Sequence, residues 1–104
     1  MRYECGDGWL SLINQAIEIV NEYNDKHTKI NDHITITNIK EDNGCLSIDF
    51  KPYVIEIALK FYDLEKQSLR ICEICGSKHN VVNTTINGNK KTLCENCFKK
   101  LISN

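Results

Sequence analysis

The chain has 104 residues, 41% of them hydrophobic and 26% charged, with a formal net charge of −1. That length supports one domain, or one domain with a small appendage, and only a small core. No apolar run approaches the roughly eighteen residues of a membrane-spanning helix, and the near-zero charge excludes a uniformly basic nucleic-acid binder.

The charge is nevertheless uneven. Residues 1–69 hold seven Lys/Arg against twelve Asp/Glu, a balance of −5. Residues 70–104 hold six against two, a balance of +4. An acidic body is followed by a basic carboxyl-terminal end.

Residues 1–6 read as a short extended lead-in, and Asp7 is a candidate N-cap. Trp9, Leu12, Ile13, Ala16, Ile17, Val20 and Tyr23 then recur at helical spacing, which predicts an amphipathic helix from about Gly8 to Tyr23 or Asn24. Ser11, Asn14, Glu18, Asn21, Glu22 and Asp25 form its polar face, and Trp9 is expected to plug the core. The polar stretch 25–32 reads as a loop. His27 and His33 have no ligand-type neighbour at useful spacing and are expected on the surface.

Ile34 to Ile39 alternates Ile with Thr or Asn and predicts a strand. Residues 41–44 read as a turn. Leu46, Ile48 and Phe50 alternate with Cys45, Ser47 and Asp49, which predicts an antiparallel partner strand packed on the first helix. Pro52 suits the first turn of a second helix. Val54, Ile57, Ala58, Phe61, Leu64 and Leu69 would form its apolar stripe, with Glu56 and Lys60 paired on its solvated side. Tyr53, Tyr62 and Phe98 are expected to be partly buried. This helix runs nearly into Cys72, so residues 1–70 form a body on which residues 71–104 are expected to pack as one unit.

The last third carries the strongest signal. Cys72-Glu-Ile-Cys75, with Gly76 next, is separated by eighteen intervening residues from Cys94-Glu-Asn-Cys97. Two Cys-x-x-Cys pairs at this separation predict a four-thiolate zinc site. Gly76 suits the positive φ of a knuckle turn. Val81 to Ile86 is a β-branched run, Asn87-Gly88 a hairpin signal, and Lys90 to Leu93 the returning strand. Residues 95–102 read as a short helix with Glu95 at its start and Lys99 and Lys100 near its end, as the helix dipole prefers. The order knuckle, hairpin, helix favours a treble-clef finger over a zinc ribbon. The whole chain is then α+β: helix, hairpin, helix, zinc finger.

Other uses of the four cysteines remain. Two disulfides would suit a secreted chain, but no signal peptide is visible, and the thiols suit a reducing, intracellular compartment. A redox Cys-x-x-Cys usually stands singly in a βαβ unit. His79 can substitute for one thiolate. With four protein ligands no position is open for water, so the Zn2+ is expected to be structural. Cys5 and Cys45 lie outside the set, either as small buried side chains or in contact with each other.

Cys5-Gly6-Asp7-Gly8-Trp9, Lys40-Glu41 with Gly44 and Leu46, Cys72 to Gly76 and Cys94 to Cys97 together resemble a family of small, uncharacterised bacteriophage and prophage proteins. The resemblance spans nearly the whole chain. It departs at Asp42-Asn43, where the family has an aromatic-glycine turn, and at Ser47, where a basic residue is usual. It implies a phage or mobile-element origin and the cytoplasm of a bacterial host, and it implies no chemistry.

No Ser/His/Asp set, phosphate loop or deaminase pattern is present, and a zinc-finger nuclease would need a catalytic His near the hairpin or helix. Only His79 is close, so no enzyme activity is expected. Two binding classes remain. The acidic body can occupy a groove built for nucleic acid and so bind a host protein stoichiometrically, for example a nucleic-acid-dependent defence enzyme. Alternatively, Lys78, Lys90, Lys91, Lys99 and Lys100 at the zinc end can hold DNA or RNA. Their bland role is a solvated face.

Overall fold

The structure is a computed structural model that describes residues 3–103. The molecule is elongated, 53 × 24 × 21 Å. It is α+β, in the order α1 (Leu10–Asp25), β1 (Thr35–Asp42), β2 (Cys45–Lys51), α2 (Ile55–Ser68), β3 (Val81–Ile86), β4 (Asn89–Cys94) and α3 (Glu95–Ile102). The strands make two separate antiparallel hairpins. No helix among the described residues is long and apolar enough to cross a membrane.

The first helix forms as its periodicity requires. Leu12, Ile13, Ala16 and Val20 are buried on one face, and the six polar residues expected opposite are all exposed. Its start differs from expectation. A single 3-10 turn, Asp7–Trp9, precedes it, and Asp7 makes no capping bond. Asp7 instead accepts a bond from the Tyr3 hydroxyl at 3.2 Å. The amide of Gly8 at this helix start is satisfied from far along the chain, donating to the Glu73 carbonyl at 2.9 Å. Trp9 is fully buried, and its indole N–H donates to the Ile71 carbonyl at 2.9 Å. It is a core plug that also fastens α1 to the segment entering the cysteines.

The loop after α1 is more structured than its polarity suggests. The Asn24 side chain brackets Ile34, donating to its carbonyl at 3.0 Å and accepting from its amide at 2.8 Å. Both histidines are half-buried, not freely exposed. His27 stacks on Tyr23 with ring centroids 4.0 Å apart and bonds the Tyr23 carbonyl, and His33 bonds the His27 carbonyl, each at 2.7 Å. Local backbone carbonyls, not a metal, employ them.

Strand β1 runs three residues beyond its expected end. The turn shrinks to Asn43-Gly44, whose φ angles of 53° and 80° are the two positive values a two-residue type I′ hairpin needs. A bulge between Ile36 and Asn38 leaves Thr37 without a cross-strand partner. The lead-in adds one parallel bridge, Glu4 to Lys40, on the outer edge of β1. Ile39, Leu46 and Ile48 meet Trp9, Leu12, Ile13, Ile57, Phe61, Leu64 and Ile71 in one core cluster.

The second helix begins later than expected. Pro52 follows a cis peptide bond and lies in the connector, and Val54 occupies the cap position. Ile57, Phe61, Leu64 and Ser68 form the buried face. Leu69 is outside the stripe because the helix ends at Ser68, whose hydroxyl accepts the Leu46 amide at 2.9 Å. Tyr53 and Tyr62 are 70% and 60% exposed, contrary to expectation, whereas Phe98 is partly buried. Tyr62 follows buried Phe61 by about 100°, which turns it to solvent beneath the Lys66 ammonium, 5.5 Å from the ring centroid. The carboxylate of Glu65 accepts the Ile48 amide at 2.9 Å, and burial holds its pKa above the ordinary range.

A β-carbon on Gly8 would lie 2.1 Å from the Cys72 carbonyl oxygen, whereas one on Gly88 would meet nothing within 4 Å. Gly8→Ala should therefore destabilise the metal-loaded chain by at least about 2 kcal/mol in urea unfolding. Gly88→Ala, strained only by its positive φ, should lose about 1 kcal/mol.

Candidate metal centre

Two local structures converge at the carboxyl-terminal end. The first is a knuckle. Cys72 donates its amide to the Ser77 carbonyl and accepts the Gly76 amide, both at 2.9 Å. Gly76 takes φ 81°, which permits the reversal. The second is the junction of β4 and α3. Strand pairing of Val81 with Cys94 brings the chain back, Cys94 takes the cap position of α3, and Cys97 lies in the helix's first turn. Asn87 and Gly88, with φ 52° and 83°, close the intervening hairpin.

The result is a cluster of the four predicted ligands. The sulfurs of Cys72, Cys75, Cys94 and Cys97 all lie within 4.8 Å of one another, with Cys75 and Cys94 3.6 Å apart. Four sulfurs about 2.3 Å from a tetrahedral ion would be roughly 3.8 Å apart. A disulfide would need about 2.05 Å, and all six cysteines are free thiols. The donor set fits one metal ion, and four protein donors would complete a tetrahedral shell around it. His79 is not among the ligands. It lines a cavity of about 290 Å³ beside the cluster, shared with Cys75, Cys94, Cys97 and Lys100.

The thiols are not equivalent. Burial opposes ionisation of Cys72, yet the backbone N–H groups of Cys75, Cys94 and Ile74 outweigh it and lower its pKa to about 6. Burial, together with the neighbouring thiols, pushes Cys97 up to about 12. Cys72 is thus biased toward the thiolate form that a metal ligand requires. Cys72, Cys94 and Cys97 are buried and Cys75 is exposed.

The body closes over the knuckle by backbone contact. Gly6 and Gly8 press against the carbonyls of Glu73 and Cys72, where any side chain would collide. Gly-Asp-Gly before a Trp is a signal that sequence reasoning noticed without finding its use. A second contact is ionic. Lys91 lies 3.4 Å from both Glu41 and Glu73. Glu73 is 7% exposed, and its second carboxylate oxygen has no hydrogen-bond partner. Burial raises the Glu73 pKa, and Lys91 partly offsets this. Thr92 adds a hydroxyl bond to the Gly44 carbonyl at the tip of the first hairpin.

Of the five lysines considered for nucleic acid, Lys91 is thus turned inward and serves the junction. Lys99 is exposed but pairs with Glu95 at 2.8 Å. Lys78, Lys90 and Lys100 are exposed and join no ion pair among the described residues. Cys5 and Cys45 form no disulfide and no hydrogen bond with each other. Cys45 bonds the Leu46 and Glu65 carbonyls and the Ser68 hydroxyl, while Cys5 packs against the core, where burial pushes its pKa up to about 11. No known protein family, curated protein or solved structure matches the chain.

Native mass spectrometry should find one metal ion per chain, lost in Cys72→Ser and kept in Cys5→Ser and Cys45→Ser. Stripping it with a chelator should shift the emission of Trp9, the chain's single tryptophan, to the red, because its indole is held one residue from Cys72.

Lys91→Met should lower stability by about 2 kcal/mol, and adding Glu73→Gln should recover most of it, since the loss is that of an uncompensated buried carboxylate. Lys90→Met should stay within about 0.5 kcal/mol of the parent.

Proposed function

We propose that the chain is a small bacteriophage-type protein that binds another protein stoichiometrically through its acidic body, with Zn2+ as a structural staple. Zinc is favoured by four thiolate donors, which suit a borderline-soft tetrahedral ion and suit hard ions such as Mg2+ or Ca2+ poorly. The order of knuckle, hairpin and ligand-bearing helix supports a treble-clef finger. The resemblance carried by Cys5 to Trp9 and the two cysteine pairs supports an origin in a phage or prophage, and with it the bacterial cytoplasm. A host enzyme that acts on nucleic acid is the target class best suited to an acidic competitor.

The observation that carries this reading is the distribution of unpaired charge. Two of the five carboxyl-terminal lysines are tied up in internal ion pairs. Helix α1, in contrast, presents Glu18, Glu22 and Asp25 and holds no Lys or Arg. The basic end is thereby weakened as a phosphate-binding surface, while the acidic face remains available. Nucleic-acid binding through Lys78, Lys90 and Lys100 is the second reading. A nuclease-like activity is the least supported, since it would need a catalytic His near the second hairpin or α3 and only His79 is close.

The test uses the metal-loaded, tagged chain in a bacterial lysate with and without nuclease, identifying retained protein and nucleic acid. A protein retained in stoichiometric amount after nuclease treatment, and lost on Glu18→Lys/Glu22→Lys, is the expected result. Binding to DNA or RNA whose log affinity falls steeply with log salt, and which disappears in Lys90→Glu/Lys100→Glu, would overturn it.

A further inference from the structure

The outer edge of β1 is covered at both ends and open in the middle. At one end the Asn24 side chain occupies the backbone N–H and C=O of Ile34. At the other, Glu4 accepts the Glu41 amide at 3.0 Å and donates to the Ile39 carbonyl at 2.8 Å. Between them, Thr35 to Asn38 has no further strand on that edge among the described residues. This gap is about 13 Å long at roughly 3.3 Å per residue, enough for a short extended segment.

The gap adjoins a groove of about 530 Å³ between β1 and α1, whose floor includes Ile17, Val20, Ile34 and Ile36. Its one charged lining residue is Glu4. Asn21 lines the α1 side, and Glu18 and Asp25 stand one helical turn before and after it, on the same face. All three carboxylates are exposed, and none joins an ion pair among the described residues. Open backbone groups, an apolar floor and an acidic rim favour one occupant: a strand whose inward side chains are apolar and whose rim-facing side chains are basic.

We infer that β1 accepts an added strand at Thr35–Asn38, supplied by an extended, Lys/Arg-bearing segment of the partner protein. This rests on the protein-binding reading above and specifies its surface. The Glu4 bridge is a local precedent, because the chain already adds one extended residue to the same edge. The bulge leaves Thr37 outside the β1–β2 register, so the partner strand would have to match that irregularity. This is a source of selectivity.

The probe is a random twelve-residue peptide display library selected on the metal-loaded chain. Expected binders alternate β-branched or aromatic residues with Lys or Arg. Their amide perturbations in NMR should centre on residues 34–38 and 17–21. Affinity should fall at least tenfold in Asn21→Trp, which fills the groove, and in a peptide N-methylated at alternate backbone amides. It should be unchanged in Tyr62→Asp, on the exposed face of α2. Failure to select binders, selection of acidic or unpatterned ones, or perturbations elsewhere would overturn the inference. A host protein still captured by Asn21→Trp would do the same while leaving protein binding intact, whereas capture of nucleic acid alone would overturn both.

Discussion

The structure depends on one close approach, that of the Gly6–Gly8 backbone to the carbonyls of Cys72 and Glu73. A β-carbon on Gly6 or Gly8 would lie 2.1 Å from an oxygen of that knuckle, so only glycine permits the contact. Through it, the Gly8 amide finds an acceptor and the Trp9 indole reaches Ile71. The helix start is capped by the metal module instead of by its own side chain. Two clusters of buried side chains, one around Trp9 and one around Cys72 and Leu93, are thereby joined across a polar backbone seam. A chain with so small a core would gain from this arrangement, because the binding energy of a metal held by the four cysteines would reach the helical body through the same contacts.

Beside that seam, Glu41, Lys91 and Glu73 form a charge triad connecting the first hairpin, the second hairpin and the knuckle. It is an expensive device. Glu73 is nearly buried, and one of its oxygens finds no partner. Burying such a group seldom stabilises a fold relative to an apolar replacement, but it disfavours arrangements in which the hairpins slide past each other. Thr92, bonded to Gly44, works in the same sense from an adjacent register position. The triad also changes what the basic end can do, since the lysine most centrally placed on β4 is unavailable to an outside anion.

What the chain's pattern disclosed, and what it withheld, follows from the range of the forces involved. Helical periodicity, strand alternation and the Asn-Gly turns are local, and they appear close to where expected, with β1 longer and α2 later than their patterns suggested. The four ligand cysteines were legible because metal chemistry requires particular atoms at particular spacings, almost whatever the surroundings. The misjudged features are those decided across the fold. Asp7 looked like a cap because its acceptor role is local, yet Glu73, sixty-five positions beyond Gly8, supplies the acceptor for the Gly8 amide. Lys91 resembled its neighbour Lys90 until two distant carboxylates distinguished them. Tyr53 and Tyr62 were expected to be partly buried, but Tyr53 falls in the connector before α2 and Tyr62 lies off the face that α2 buries with Ile57, Phe61 and Leu64.

The same reasoning bears on where recognition can occur. Interactions that hold the two halves together consume Glu73, Lys91, Thr92 and the glycine backbone, so the seam has little left to offer a partner. The carboxyl-terminal helix spends Glu95 on Lys99. The polar face of α1 is different. Its exposed residues take no part in the metal site or the seam, and they border the one stretch of β1 edge left between Asn24 and Glu4. Exposed strand edges are liabilities that folds commonly cover or charge. Here both ends of the edge are covered and the middle is bordered by carboxylates of one sign. That combination discourages like-charged or random pairing, while a basic strand would meet both unpaired backbone groups and opposite charge.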